Sequence, residues 1–279
     1  MSELPPRSVA IVTGASAGLG LAIASTFLKA GYNVVGVGRD SQRLAAAADL
    51  LQNAASIQSP VAGRFVSLVA DVTVGESVEQ LFAKVKLEFG RVDVLVNCVG
   101  RSDRGSIMTL TKDRLSELFS DNVLSALLCS QAALPLLKES RGVVVNIGSL
   151  AAKVGPRHLG GYPAVKHALA GMTQQMRLEW REFGVHVALV SPGPIRRADA
   201  GLRYNTQSTD PALPEAARQP GGGPSVRGVD PQWVAAQVLM VVKHRTPDLV
   251  LPRYVRLLIA IGHLIPRLGD RLLLRMTKG

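Results

Sequence analysis

The chain has 279 residues, 47% hydrophobic and only 19% charged, which excludes global disorder and leaves ample apolar material for a large core. The net charge of +11 comes from basic residues spread along the chain, with no aromatic interleaving or binding motif, so a nucleic-acid partner is not expected. Cys98 and Cys129 stand in apolar contexts without metal-ligand spacing; they read as buried free thiols, and no metal site is expected.

Met1 to Arg7 lacks the apolar stretch of a secretory signal, so a cytoplasmic location is expected. Ser8–Thr13 is a short β-branched run. The turn Gly14-Ala15-Ser16-Ala17-Gly18-Leu19-Gly20 follows, then a helical pattern to about Ala30. Strand, glycine turn and helix is the layout in which a backbone can approach a pyrophosphate at a helix N-terminus. Alternation continues with a strand at Val34–Val37, a helix from Ser41 to about Asn53, a strand at Phe65–Val69 and a helix over Ser77–Phe89. Val94–Val96 is the fourth strand, a long helical region spans roughly Thr111 to Lys138, and Val143–Ile147 is the fifth strand. A helix from Tyr162 to about Phe183 and a strand at Val185–Val190 complete the regular part. Strands apolar on both faces and separated by helices predict an α/β fold. It is a single-domain, doubly wound Rossmann-type parallel sheet with helices on both faces.

Beyond Pro192 the pattern changes. Residues 198–228 carry Pro211, Pro214, Pro220, Pro224 and Gly221-Gly222-Gly223, and read as a long loop over the substrate region. Asp230-Pro231 opens a helix, and Leu249–Leu251 forms a last strand, closing a catalytic domain of residues 1–251. Residues 252–279 form a basic, amphipathic helical extension broken at Pro266 and Gly269, with six Lys/Arg against one Asp from Arg253 to Lys278. Its apolar run is too short to span a bilayer, for which about 20 residues are needed. Three fates stay open for it: peripheral contact with the inner membrane surface, packing over the cleft, or a subunit contact.

Chemistry is expected at Tyr162 and Lys166. They stand four apart on one helix, so phenol and ammonium share a face, with Pro163 tolerable in the first turn. A neighbouring cation favours phenolate and lowers the tyrosine pKa from about 10. A Y-x-x-x-K spacing is weak by itself and gains force only from its company.

That company resembles the short-chain dehydrogenase/reductase family over about Ser8 to Leu251. Thr13-Gly14-x-x-x-Gly18-x-Gly20 matches the family's cofactor turn, which implies contacts from Gly14, Ser16, Ala17, Gly18, Leu19 and Gly20. Asp71-Val72 stands where the family meets adenine. Asn97-Cys98-Val99-Gly100 occupies its Asn-Asn-Ala-Gly position, departing at the two middle residues. Asn122 matches its active-site asparagine, and Ser149 precedes Tyr162 at the usual separation. Pro192, Gly193 and Ile195 match the turn beside nicotinamide, although Arg196-Arg197 replaces the usual threonine. The resemblance implies that Tyr162 is the general acid or base and that Ser149 holds the reacting oxygen. Lys166 would bind the ribose, and Asn122 would anchor a proton-relaying water.

At the end of the second strand Gly38 stands where an acid would hold the 2′-hydroxyl of NAD, and Arg39 follows, with Arg43 a second candidate. A missing carboxylate at that position plus an adjacent guanidinium suits a 2′-phosphate, so the expected cofactor is NADP(H). The expected activity is hydride transfer with an apolar ketone, aldehyde or secondary alcohol. The alternatives are a 3-oxoacyl-carrier-protein reductase and a non-catalytic NADP-binding sensor or scaffold. By family resemblance a homodimer or homotetramer is expected.

Overall fold

The computed structural model describes residues 7–58, 63–196 and 228–276. In chain order, β1 (Val9–Thr13), α1 (Gly18–Lys29), β2 (Asn33–Gly38), α2 (Ser41–Gln58), β3 (Phe65–Val69), α3 (Gly75–Phe89) and β4 (Val94–Asn97) form the first half. The second half comprises α4 (Lys112–Phe119), α5 (Ser125–Ser140), β5 (Val143–Ile147), α6 (Tyr162–Glu179) and β6 (His186–Pro192). After these come α7 (Pro231–His244), β7 (Asp248–Leu251), α8 (Val255–Leu264) and α9 (Pro266–Met276). All described pairings are parallel, in the order β3-β2-β1-β4-β5-β6-β7.

The strands are apolar on both sides because each side meets a different helical layer. Ala10, Val12, Val94, Val96, Val143, Val145, Ala188 and Val190 pack with α1 and α7, around Ile23, Phe27, Val234 and Val238. Their alternates Val9, Ile11, Leu95, Val144 and Val187 pack with α3 and α5, around Leu81, Val85, Ala133 and Leu137. Period-two alternation thereby feeds two cores at once, as expected for a sheet covered on both faces. β1 pairs with β2 on one side and β4 on the other, so the crossovers leave in opposite directions and open a crevice at their carboxyl ends.

The long helical region expected from roughly Thr111 to Lys138 is present as α4 and α5, joined by a π-turn over Ser120–Leu124 that contains Asn122. One expectation is corrected. The C-terminal extension breaks at Pro266 but not at Gly269, which lies within α9. Gly269 faces Gly262 of α8 across the hairpin, and a Cβ built on it would stand 2.8 Å from Gly262 Cα and 2.9 Å from Gly262 O. The glycine is there for backbone-to-backbone approach. The 198–228 loop and Arg197 lie outside the described residues, Gly228 excepted.

Gly269→Val is expected to splay α8 from α9. Hydrogen exchange should then show faster exchange across residues 255–276 with the sheet amides unaffected. Unaltered protection of both helices would contradict the glycine contact.

Candidate active site

A cleft of about 940 Å³ opens at the carboxyl ends of the strands. Gly14, Ser16, Ala17, Leu19, Gly20, Arg39, Asp71, Val72, Gly100, Ser149, Tyr162, Lys166, Pro192, Gly193 and Ile195 all line it. Gly14 takes a left-handed φ of +69°, and a Cβ on Gly20 would collide with the Gly14 carbonyl. Close backbone packing at the start of α1 therefore demands glycine at both points. Gly18, at φ +57°, shapes the same turn without lining the cleft.

Lys166 is fully enclosed. Its ammonium donates to Ile147 O at the end of β5 (3.0 Å) and lies 5.7 Å from the centroid of the Tyr162 ring. Burial depresses its pKa from the usual 10.5 to about 8, an effect partly opposed by nearby Cys98. Ser149, just past β5, accepts a hydrogen bond from Ala151 N (3.1 Å), which fixes its side chain while leaving its own hydroxyl proton available. Asn122 sits in the π-turn, where its amide nitrogen donates to Leu118 O (2.9 Å) and Arg101 O (3.0 Å). Its Oδ1 is buried without a donor among the described residues. That oxygen and Lys166 Nζ both abut Gly100, where a Cβ would stand 2.6 and 3.3 Å from them. Asn122 does not line the cleft itself; it stands directly behind Gly100.

At the end of β2, Arg39 pairs with Asp71 (3.6 Å), so two expected cofactor contacts also hold each other. Burial alone would raise the Asp71 pKa, but hydrogen bonds from Thr73 and the Arg39 charge hold it below its ordinary value. Arg43 lines the cleft, and so does Asp40, a carboxylate that the sequence reading passed over. Asp40 Oδ1 is engaged as a helix cap by the Arg43 backbone N–H (3.0 Å). A Cβ built on Gly38 would stand in ordinary contact with Leu44 Cδ1 (3.6 Å) and Ser16 Oγ (3.7 Å), so Ser16 and the residues at the end of β2 lie side by side on the cleft.

One expected cofactor contact, Asn97, has its side chain outside the cleft, and the open question of Arg196 is answered by an ion pair. Asn97 points away from the cleft; its amide donates to Asn146 Oδ1 (2.8 Å) and Ser130 Oγ (3.0 Å), tying β4 to β5 and α5 inside the sheet. Arg196 is drawn off by an ion pair with Asp230 (2.8 Å), the residue capping α7, and does not line the cleft. Of the thiols, Cys129 is buried with its pKa pushed up to about 12, whereas Cys98 lines the cleft.

Residues 8–207 match the family model for short chain dehydrogenase, well over half of the chain. The chain belongs to the short-chain dehydrogenase/reductase family. A farnesol dehydrogenase of Aedes aegypti is 37% identical over 198 residues, covering 67% of this chain and 77% of that protein. A ketoacyl reductase of a Nostoc species is 28% identical and covers 98% of this chain and 90% of that protein. Among solved structures, a short-chain dehydrogenase from Streptomyces avermitilis is 30% identical with a TM-score of 0.75, covering 99% of this chain and 98% of that one.

Further features of this short-chain dehydrogenase come from the folded chain, among them the choice of cleft packing from the three fates left open for the extension. Thr13 Oγ1 accepts the backbone N–H groups of Cys98 (3.0 Å) and Val99 (3.2 Å), clamping β1 to the turn after β4 across the crevice. The extension lines the cleft with one face of each of its helices, including Leu258, Ile259, Leu272 and Leu273. Lys153 O receives the His263 ring (2.8 Å), tying α8 to the segment after β5. Finally, Asp103 is buried between Arg114, at 2.8 and 3.1 Å, and the Gly161 N–H at 3.1 Å. Gly161 is the cap position of α6 and carries no side chain, so the carboxylate of Asp103 serves as its cap from 58 residues away. Gly160, at φ +51°, makes room: a Cβ there would overlap Asp103 Oδ2. No local pattern marked this contact, because its partner stands 58 residues away along the chain.

Asp103→Asn removes the charge that accepts from Arg114 and Gly161 and weakens the start of α6. Arg114 is partly exposed and keeps Glu117, so a loss of about 1–3 kcal/mol is expected, the scale of charged hydrogen bonds, read as a lowered denaturant midpoint at constant slope. An unchanged midpoint would show that the cap carries no stability.

Proposed function

We propose that this chain is an NADP(H)-dependent oxidoreductase that moves hydride between nicotinamide and an apolar ketone, aldehyde or secondary alcohol. The observation that carries the reading is the convergence of Ser149, Tyr162 and the desolvated ammonium of Lys166 on the cleft that also holds the glycine turn. A bound nicotinamide would supply or accept the hydride. Tyr162 delivers its phenolic proton to the carbonyl oxygen as that oxygen gains charge, and takes it back in the oxidative direction. The Ser149 hydroxyl donates to the same oxygen and orients the carbonyl. Lys166 would hold the ribose hydroxyls and stabilise the Tyr162 phenolate through its charge. A pKa near 8 keeps that charge at neutral pH while making the proton transferable. Asn122 Oδ1, buried beside Lys166, supports the expected role of Asn122 in refilling the proton through a water.

NADP(H) is supported by Arg39 and Arg43 on the cleft, by the absence of a side chain at Gly38, and by the engagement of Asp40 with its own helix. Ser16 Oγ, near Gly38 on the same cleft, adds a donor for a phosphate oxygen. An apolar substrate is supported by the leucine and isoleucine side chains that the C-terminal helices turn into the cleft, and by a relative named for farnesol. The second reading, a 3-oxoacyl reductase, has in its favour a ketoacyl reductase that matches almost the whole chain. Comparing turnover of 3-oxoacyl thioesters with apolar ketones separates the two. A homodimer or homotetramer through α5 and α6 belongs to the same proposal, and light scattering measures it.

Tyr162→Phe is expected to lower kcat at least about 100-fold, the usual scale of a positioned acid, with coenzyme affinity in a fluorescence titration nearly unchanged. Appreciable residual turnover would remove Tyr162 from the chemistry. Arg39→Ala should lower kcat/KM for NADPH by about 10- to 100-fold, as expected for a charged hydrogen bond worth about 1.5–3 kcal/mol, and spare NADH. An intact preference, or a wild-type preference for NADH, would overturn the cofactor reading.

A further inference from the structure

The α8–α9 hairpin has two dissimilar faces. Inward, Val255, Leu258 and Ile259 of α8 and Leu272 and Leu273 of α9 line the cleft, together with Asp270, the hairpin's one acidic residue. Helical spacing places Leu257 and Leu264 of α8, and Arg267, Arg271 and Arg275 of α9, on the opposite side. Leu257 is 66% and Leu264 82% exposed, and the three arginines are exposed as well. Arg253 and Arg256 flank them, and none of these five arginines has an ion-pair partner among the described residues. The outer surface is therefore apolar along α8, cationic along α9 and free of acid.

We propose that this outer face seats on an anionic lipid surface, and that the cleft behind it takes a lipophilic carbonyl or alcohol from that surface; the second half rests on the reading of the cleft given above. Charge complementarity selects the occupant. Leucines beside arginines suit an interface where apolar groups enter the acyl boundary and guanidinium groups meet phosphates. A second copy is disfavoured, because a two-fold contact would set one arginine row against another. No described helix is long and apolar enough to cross a membrane, so the contact is peripheral. The hairpin is anchored at β7 and through His263, and the Gly262–Gly269 contact holds α8 and α9 as one unit, so wall and docking face move together.

The test is flotation of the full chain with vesicles of phosphatidylglycerol and phosphatidylcholine against vesicles of phosphatidylcholine alone. Retention is expected on the anionic vesicles and little on the neutral ones. The triple variant Arg267→Glu, Arg271→Glu, Arg275→Glu should lose about 100-fold in partitioning, since each cationic contact is worth about fivefold near an anionic surface. Turnover of a water-soluble ketone should stay unchanged in the variant, which separates docking from catalysis. Equal retention on both vesicles, no retention, or a variant that floats as well as the wild type would overturn the docking face. A halved molar mass in the variant, by light scattering without vesicles, would assign the face to a second copy instead. If wild type and variant float as expected but neither turns over any carbonyl, the docking stands and the enzymatic reading falls.

Discussion

An ammonium with almost no access to water is the constraint around which this cleft is assembled. Burying a charge is costly unless polar groups meet it, and Lys166 has one protein carbonyl, Ile147 O, at the very end of β5. That bond fixes the distance between α6 and the sheet and sets the height of Tyr162, one turn earlier, above the strand ends. Gly100 completes the arrangement by its lack of a side chain: any Cβ there would press on both Asn122 Oδ1 and Lys166 Nζ. The depressed lysine pKa is the electrostatic trace of the same enclosure.

Several distant contacts serve to keep that geometry. Thr13 holds the turn after β4, and Asn97 and Asn146 tie β4 to β5, so the two strand ends flanking the crevice cannot drift apart. Asp103, pinned by Arg114, secures the first turn of α6 from the loop beyond β4. The π-turn before α5 swings Asn122 behind Gly100 instead of leaving it on an exposed helix face. Each of these devices lies outside the residues that line the cleft, yet each constrains one that does.

The C-terminal hairpin contributes differently. It adds no strand and packs on little of the central sheet, but it turns an open crevice into a walled one. Of the three fates left open by its sequence, packing over the cleft is what its inner face does, and this leaves the outer face free for a second role. The glycine pair explains how two short helices lie so close without a core of their own.

What could be read from the chain alone was whatever depends on local pattern. Apolar runs separated by helical periods were enough for the layers, and glycine spacing for the turn at Gly14–Gly20. The ordered motifs from Thr13 to Gly193 were enough for the family. Contacts between residues far apart in sequence left no such trace. Asn97 carried a motif position but turns inward, where its amide nitrogen donates to Asn146 and Ser130 while its Oδ1 stays buried without a donor among the described residues. Arg196 stands next to the nicotinamide turn but is captured by Asp230, 34 residues on. Local spacing decides which face a side chain shares with its neighbours. Only the folded chain decides which buried donors find which acceptors, and that competition placed Lys166, Asp103 and Asn122.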